Sequence, residues 1–583
     1  MMHSVRPLFL TLLLVGSLAG CTRQSPPPPP PAPAPAPFAW DRYVSEFIEG
    51  YFKANPYFAV QAGRHEFDGQ TPDLSAAGIA RRVQWLKAQQ RTVQAVDPRP
   101  MSEGQAFERE YLLNVIADQL FWLDAARFPF TNPAWYIDLL DPQVYLSRDY
   151  AAPEFRLRGY IGYARGIPQV AAQIRANLHV PMPRTLLERG IDGFGGYAQF
   201  YRHDVPLAFA SVKDPAAQQE LAQADEAAAR AMEGLKSWLE SERSRATEDF
   251  ALGDALFLRM LKDTDDVQIS LADLTRIGQQ DLERNTQALS AACASYAPHR
   301  TLEQCVAKMS AHKPKGSVVQ AAAEQLTELK AFVIGHHVVD IPSDNQVKVV
   351  KAPPYNSANF AFIEIPGPYD KNLASEYNIA PPDPHWSARE RAEYIPGLAD
   401  LLYTSVHEVW PGHFLQFSYS NRNPSKVAAL WVTYAYAEGW AHYCEEMMWD
   451  EGLGNGSAEG HVGQLVEALL RDVRFISAIG LHTHGMSVAD SEKLFRTRAF
   501  QDPGNARQQA ARGTYDPAYI NYTLGKLMIR KLRDDWVAQR LHGNVATDPK
   551  TLWRSFHNHF LSYGGPPIPL VRQEMVGAQG ALF

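Results

Sequence analysis

His407-Glu408-Val409-Trp410-Pro411-Gly412-His413 is the stretch on which the reading of this chain turns. Histidines four apart on a helix differ by only about 40° in direction, so both can face one metal ion, and a glutamate between them can take a proton from water. Here the histidines are six apart, which on an ideal helix turns the second imidazole about 240° from the first. An unbroken helix cannot chelate with this pair. Pro411, however, removes a backbone donor, and its ring collides with the carbonyl four residues back, on His407. Gly412 opens backbone angles closed to other residues. The stretch therefore predicts a bulge that absorbs two residues and returns His413 to the side of His407, with Glu408 as base. Alone the motif is weak, because two histidines satisfied at a helix terminus would look the same.

Two features downstream converge on it. Tyr436–Glu445 reads as a helix, and its Glu438 follows His413 after a span that suits a loop and a return. Zinc sites with two histidines on one helix take a third ligand, often glutamate, from a following helix. The predicted ligand set is His407, His413 and Glu438. Glu445, two turns beyond Glu438 and near the same face, is placed to orient a ligand from behind. His442 lies on that face too and is a rival ligand.

Working outward, most of the chain reads helical. Residues 215–248 are rich in Ala, Glu, Gln and Arg, a strong helix composition. Ser270 with Asp273 and Ser387 with Glu390 read as capping signals, opening a helix over 271–292 and a segment running toward 408 with an interruption at Pro396-Gly397. Short runs rich in Val, Ile and Phe at 337–341, 346–351 and 359–365 read as a small antiparallel sheet. No 20–50-residue period repeats, which speaks against a solenoid. The expected fold class is mainly α with a minor β element near 337–365.

The composition agrees with a folded body. At 46% hydrophobic and 21% charged, the chain is neither disordered nor a multispanning membrane protein. A net charge of -8 provides no basic field and argues against nucleic acid as partner. At the N-terminus, the apolar run Leu8–Ala19 is too short to span a bilayer and suits a secretory signal over 1–20. Leu18-Ala19-Gly20-Cys21 resembles the bacterial lipobox, which implies lipidation at Cys21 and a membrane anchor. Thr22 carries no acidic inner-membrane retention cue, which leans toward the outer membrane. A proline-rich linker completes 21–37; as a polyproline II spacer, 26–37 would reach roughly 35–40 Å. The body spans 38–583. Cys293 and Cys305 lie close enough in sequence to pair in an oxidising periplasm, while Cys444 has no obvious partner.

At these residues the chain resembles the bacterial domain-of-unknown-function family 885. The resemblance rests on His407–His413 with Gln416, on Glu438-Gly439-Trp440-Ala441 with Glu445, and on Gly480-Leu481-His482 preceded by Arg471 and Arg474. It also rests on Pro517 to Tyr522 with Gly525 and Lys531-Leu532-Arg533, and on Pro566 to Met575 with Pro569-Leu570 and Arg572. Near the start, Ala62-Gly63, Asp68-Gly69 and Asp73-Leu74-Ser75 fit as well. The resemblance implies a large helical, zincin-like fold with a deep cleft, similar to angiotensin-converting enzyme and the neurolysin-like oligopeptidases. It implies zinc held by His407, His413 and Glu438, with Glu408 as base and Gln416 and Glu445 behind the ligands. The chain departs from the family at Phe414, at His442 and at Ala478, where an acidic residue is expected to support His482.

Read as an enzyme, the chain is a zinc metallopeptidase: Glu408 takes a proton from a zinc-polarised water that attacks an amide carbonyl. The developing oxyanion needs a donor, for which Tyr522 is the first choice, with His482 and Tyr519 behind it. The strand at 359–365 offers an edge to an extended peptide substrate. Two rivals stand beside this reading. One is a peptide-binding lipoprotein with a closed structural metal site, for which His442 joining the ligands would be the sign. The other is a metal-dependent amidase acting on non-peptide amides. Oligomeric state is not encoded in any feature of the chain.

Overall fold

Local capping chemistry starts several helices where the sequence places them. Ser270 Oγ accepts the Asp273 N–H at 3.1 Å, opening the helix Leu271–Tyr296. Ser387 and Glu390 satisfy each other's backbone N–H groups at 3.2 and 3.0 Å, opening Ala388–Tyr394. The chain then breaks at Ile395-Pro396-Gly397 and restarts as Leu398–Glu408, where the Asp400 carboxylate accepts the Gly397 N–H. The alanine-rich segment predicted over 215–248 is helical from Pro215 to Glu242 and then tightens into a 3-10 turn at Arg243–Arg245. Its apolar stripe of Leu221, Ala224, Ala228, Met232, Leu235 and Leu239 is buried. Each of the three leucines in that stripe contributes about 1.5–3 kcal/mol relative to exposure.

The computed structural model describes residues 38–356, 359–542, 548–577 and 581–583. The signal segment 1–20, the lipidation candidate Cys21 and the rest of the linker to 37 lie outside the described residues. Among the described residues no helix is long and apolar enough to cross a membrane. The unit Trp40–Phe583 is mainly helical and holds two hydrophobic cores. One core is built chiefly from residues before Leu239, the other from Phe257 to Met575, and the candidate site belongs to the second. Cys293 and Cys305 form a disulfide that ties the helix Leu271–Tyr296 to Leu302–Ser310; Cys444 is free and buried.

The β element differs from expectation in two ways. It is a mixed three-stranded sheet, not an antiparallel one: β1 (Val347–Lys351) pairs parallel with β3 (Ser375–Ile379), and β2 (Ala361–Glu364) pairs antiparallel with β3. The central strand, Ser-Glu-Tyr-Asn-Ile, has little β propensity of its own and is specified by burial between its neighbours. The run at 337–341 is no strand. It follows the helix Val318–Gly335 as a turn, with His337 at φ 53 and the side chains of Val338 and Val339 anchored in the core. Strand-like composition there reflects burial alone.

One close approach aligns two helices of the site. The helix Tyr434–Asp450 lies against Asn521–Leu541 so tightly that a Cβ on Gly439 would stand 2.5 Å from Gly525 Cα. Only glycines permit that backbone contact.

Candidate metal centre

The helix Leu398–Glu408 ends immediately after His407-Glu408, and a new helix, His413–Ser420, begins on the second histidine. Between them Val409–Gly412 forms the expected bulge, with a cis peptide at Trp410-Pro411. The Gly412 N–H donates to the Val406 carbonyl at 3.0 Å, six residues back, so the chain doubles onto the helix end. Gly412 lacks a Cβ for reasons of space: one built there would meet the His407 carbonyl, with its carbon only 2.5 Å away. The Trp440 indole N–H donates to the Pro411 carbonyl at 2.9 Å and pins the bulge from the neighbouring helix.

The bulge brings the two imidazoles together, their ring centroids 4.8 Å apart and their planes nearly perpendicular. His407 Nε2 and His413 Nε2 both point at Glu438 Oε2, at 3.1 and 3.3 Å. One donor atom from each of these three residues lies within 4.8 Å of the others, the one such group among the described residues. The short motif around Glu438 thus divides its labour: Glu438 faces the histidines, Gly439 permits helix contact and Trp440 holds the bulge.

Behind the cluster, Glu445 accepts from His407 Nδ1 at 2.7 Å, which fixes that imidazole with Nε2 toward Glu438. Glu445 is itself fully buried and held by Arg471 at 3.4 Å and His442 at 3.2 Å. Burial alone would raise its pKa, but Arg471 and His442 outweigh it and keep the carboxyl well below the usual range. His407, clamped between two carboxylates that outweigh its burial, is pushed up to about 9. The space among His407 Nε2, His413 Nε2 and Glu438 Oε2 is where a divalent cation would sit. The donor set, two imidazole nitrogens and a carboxylate with a carboxylate-backed histidine, fits zinc.

A cavity of about 730 Å³ reaches the cluster at His407, within the size of small-molecule and peptide sites. His407, Glu408 and Tyr522 line it, as does the start of β2. Burial raises the Glu408 carboxyl while His407 and His413 oppose that shift. The Tyr522 ring stacks on His407 at 5.9 Å. Its hydroxyl accepts from Arg512 Nη2 at 3.2 Å, leaving its own proton to be donated.

Four residues singled out from sequence lie elsewhere. His482 is sealed away from the cavity: its Nε2 donates to the Gly513 carbonyl at 2.7 Å, and its Nδ1 accepts the Leu252 N–H at 3.3 Å. With both nitrogens spent on backbone and burial lowering it to about 4, this neutral ring ties three segments together. Gln416 does not touch the ligands; its amide donates to Ser420 Oγ and the Gly564 carbonyl. Tyr519 is fully buried and does not line the cavity. His442 stays behind Glu445, outside the donor group. Sequence reasoning missed Arg512, which reaches Tyr522 from another helix with no local motif to mark it.

A family profile described as "Bacterial protein of unknown function (DUF885)" matches residues 56–575. No curated protein matches the chain. Among solved structures, a chain described as a candidate lipoprotein of unknown function from Shewanella oneidensis superposes with a TM-score of 0.73 at 23% identity, covering 92% of this chain and 100% of its own. Another, described as a candidate lipoprotein from Colwellia psychrerythraea, superposes with a TM-score of 0.76 at 16% identity, covering 92% and 98%. At such identities the likeness establishes a shared fold.

Proposed function

From the premise that the chain belongs to the bacterial DUF885 family, whose function is unknown, we propose that it is a zinc-dependent hydrolase of peptide bonds. One observation carries the proposal: His407, His413 and Glu438 converge on one point, and His407 also lines a cavity together with Glu408 and Tyr522. Three protein donors with open space beside them suit a catalytic zinc site, whereas a structural site closes with four. The position of His442 behind Glu445 argues against the closed alternative.

Zinc, when bound by His407, His413 and Glu438, supplies Lewis acidity toward a carbonyl oxygen and toward water. The chain's own residues do the rest. Glu408 accepts the proton of the attacking water at its carboxylate and returns it to the leaving amine. Tyr522 donates its phenolic proton as a hydrogen bond to the oxygen that gains charge, while Arg512 holds the phenol in place. Glu445 keeps His407 oriented. β2 lies at the edge of its sheet and its start borders the cavity, so an extended peptide can add alongside it.

Glu408→Gln is expected to retain zinc but to lose peptide hydrolysis by several orders of magnitude, while His413→Ala loses the zinc. A clean Glu408→Gln preparation with wild-type turnover would refute the assignment of the base. Export and lipid anchoring at Cys21 belong to the same proposal, supported by the lipobox-like Leu18–Cys21 and by relatives described as candidate lipoproteins.

A further inference from the structure

Nine arginine and lysine side chains are buried among the described residues. Arg109, Arg148, Arg156, Arg471, Arg512, Arg533, Arg572 and Lys526 each touch a carboxylate. The ninth, Arg474, touches none. The segments outside the described residues contain no Asp or Glu at all, so the chain has no further side-chain carboxylate to offer it. Arg474 donates through Nε to Gln509 Oε1 at 2.8 Å and lies 4.5 Å over the Tyr522 ring. Its two terminal nitrogens are left as a planar fork on the cavity wall.

A buried cation without a counter-charge is costly, and proteins rarely tolerate one. Burial pushes this guanidinium down to about 10, so it still carries its charge at neutral pH. The same Tyr522 ring that carries Arg474 4.5 Å away stacks 5.9 Å from His407, so the guanidinium lies within about 10 Å of the His407 ring. A peptide advances at most about 3.3–3.6 Å per residue, so no more than about three residues fit between centre and fork. A carboxylate is the peptide group that matches two parallel N–H donors.

We propose that Arg474 grips the C-terminal carboxylate of a peptide lying at the His407–His413–Glu438 centre, so that cleavage releases a C-terminal fragment of at most about three residues. This deepens the reading as a peptide hydrolase and rests on it. The acidic side chain of an internal residue offers the same chemistry, and the test separates the two.

Binding is measured by calorimetry to the full chain carrying Glu408→Gln, so that no turnover intervenes. The probes are N-acetylated tetra-alanine as its free acid, the same peptide as its C-terminal amide, and an amidated analogue with aspartate in the third position. The free acid is expected to bind about 10- to 100-fold tighter than the amide. Adding Arg474→Gln is expected to reduce that preference to within about twofold, and Arg474→Lys to retain part of it. Equal binding of acid and amide in the Arg474-containing protein overturns the proposal without any reliance on how a variant folds. Amidated aspartyl peptide binding as tightly as the free acid overturns it in favour of side-chain recognition. Wild-type protein that hydrolyses the amide as fast as the acid overturns it while leaving the hydrolase reading intact. Absence of any hydrolysis would instead refute the hydrolase reading, and the binding preference would still be decided by calorimetry.

Discussion

Gly412→Ala is the smallest change that separates the bulge from everything else in the site. The added methyl would sit 2.5 Å from the His407 carbonyl carbon and 2.5 Å from the Val406 oxygen, and closer still to the His407 oxygen. Non-bonded carbon keeps about 3.5 Å from such atoms, so the turn must open by at least about 1 Å. Metal–ligand distances tolerate about 0.2 Å. The opening acts between the backbones of the two histidine ligands and exceeds that tolerance several-fold, and neither backbone can rotate aside as a flexible side chain could. Zinc affinity is expected to fall at least about 100-fold, near 2.7 kcal/mol, with the apoprotein still folded. Gly234→Ala, within the helix Pro215–Glu242 and with nothing within 4 Å of its new Cβ, is the control and should raise stability by up to about 1 kcal/mol. Competition with a chromophoric chelator measures the affinity, and thermal melts with and without zinc report the linked stabilisation. Wild-type zinc affinity in folded Gly412→Ala would refute the idea that this glycine shapes the centre.

Two further outcomes are expected. Cys21→Ala should abolish incorporation of labelled fatty acid and release the protein from membranes; unchanged labelling would refute the lipobox reading. Asp225, which accepts from the Tyr160 hydroxyl at 2.7 Å, has its carboxyl pushed up to about 7 by burial, with Tyr160 opposing. An unfolded aspartate titrates near 4, so the native state keeps a proton that the unfolded state loses, and stability falls as pH rises from about 4 to about 7. Asp225→Asn removes that loss. Its stability advantage over wild type should therefore grow by on the order of 2–3 kcal/mol between pH 5 and pH 7.5; a pH-independent difference would count against it.

Much of the helical framework is legible because its determinants are local. Ser270, Ser387 and the proline-glycine interruption at 396–397 act within a few residues, and the structure places helix ends beside each of them. The histidine pair and Glu438 are visible for a related reason: spacing on a helix sets direction, and a proline with a glycine announces where that direction must be corrected. Glu445 follows from the same periodicity. The sheet is less legible, since β3 has weak propensity and becomes a strand only through the two neighbours that bury it.

The roles of His482, Gln416 and Arg474 show where one-dimensional reading ends. His482 looks as chemically capable as His407, but its ring nitrogens are consumed by the backbone of Gly513 and Leu252, 31 and 230 residues away. Gln416 is drawn off by Gly564, 148 residues away. Sequence alone determined the helical class, the bulged histidine pair and the downstream glutamate, because these depend on periodicity and on the local stereochemistry of proline and glycine. Tertiary structure alone decided which polar groups were already spent and that, among the buried cations of the described residues, Arg474 was left without a counter-charge. Hydrogen-bond and charge satisfaction is a balance over the whole folded chain, and it cannot be summed until every donor and acceptor has its neighbours.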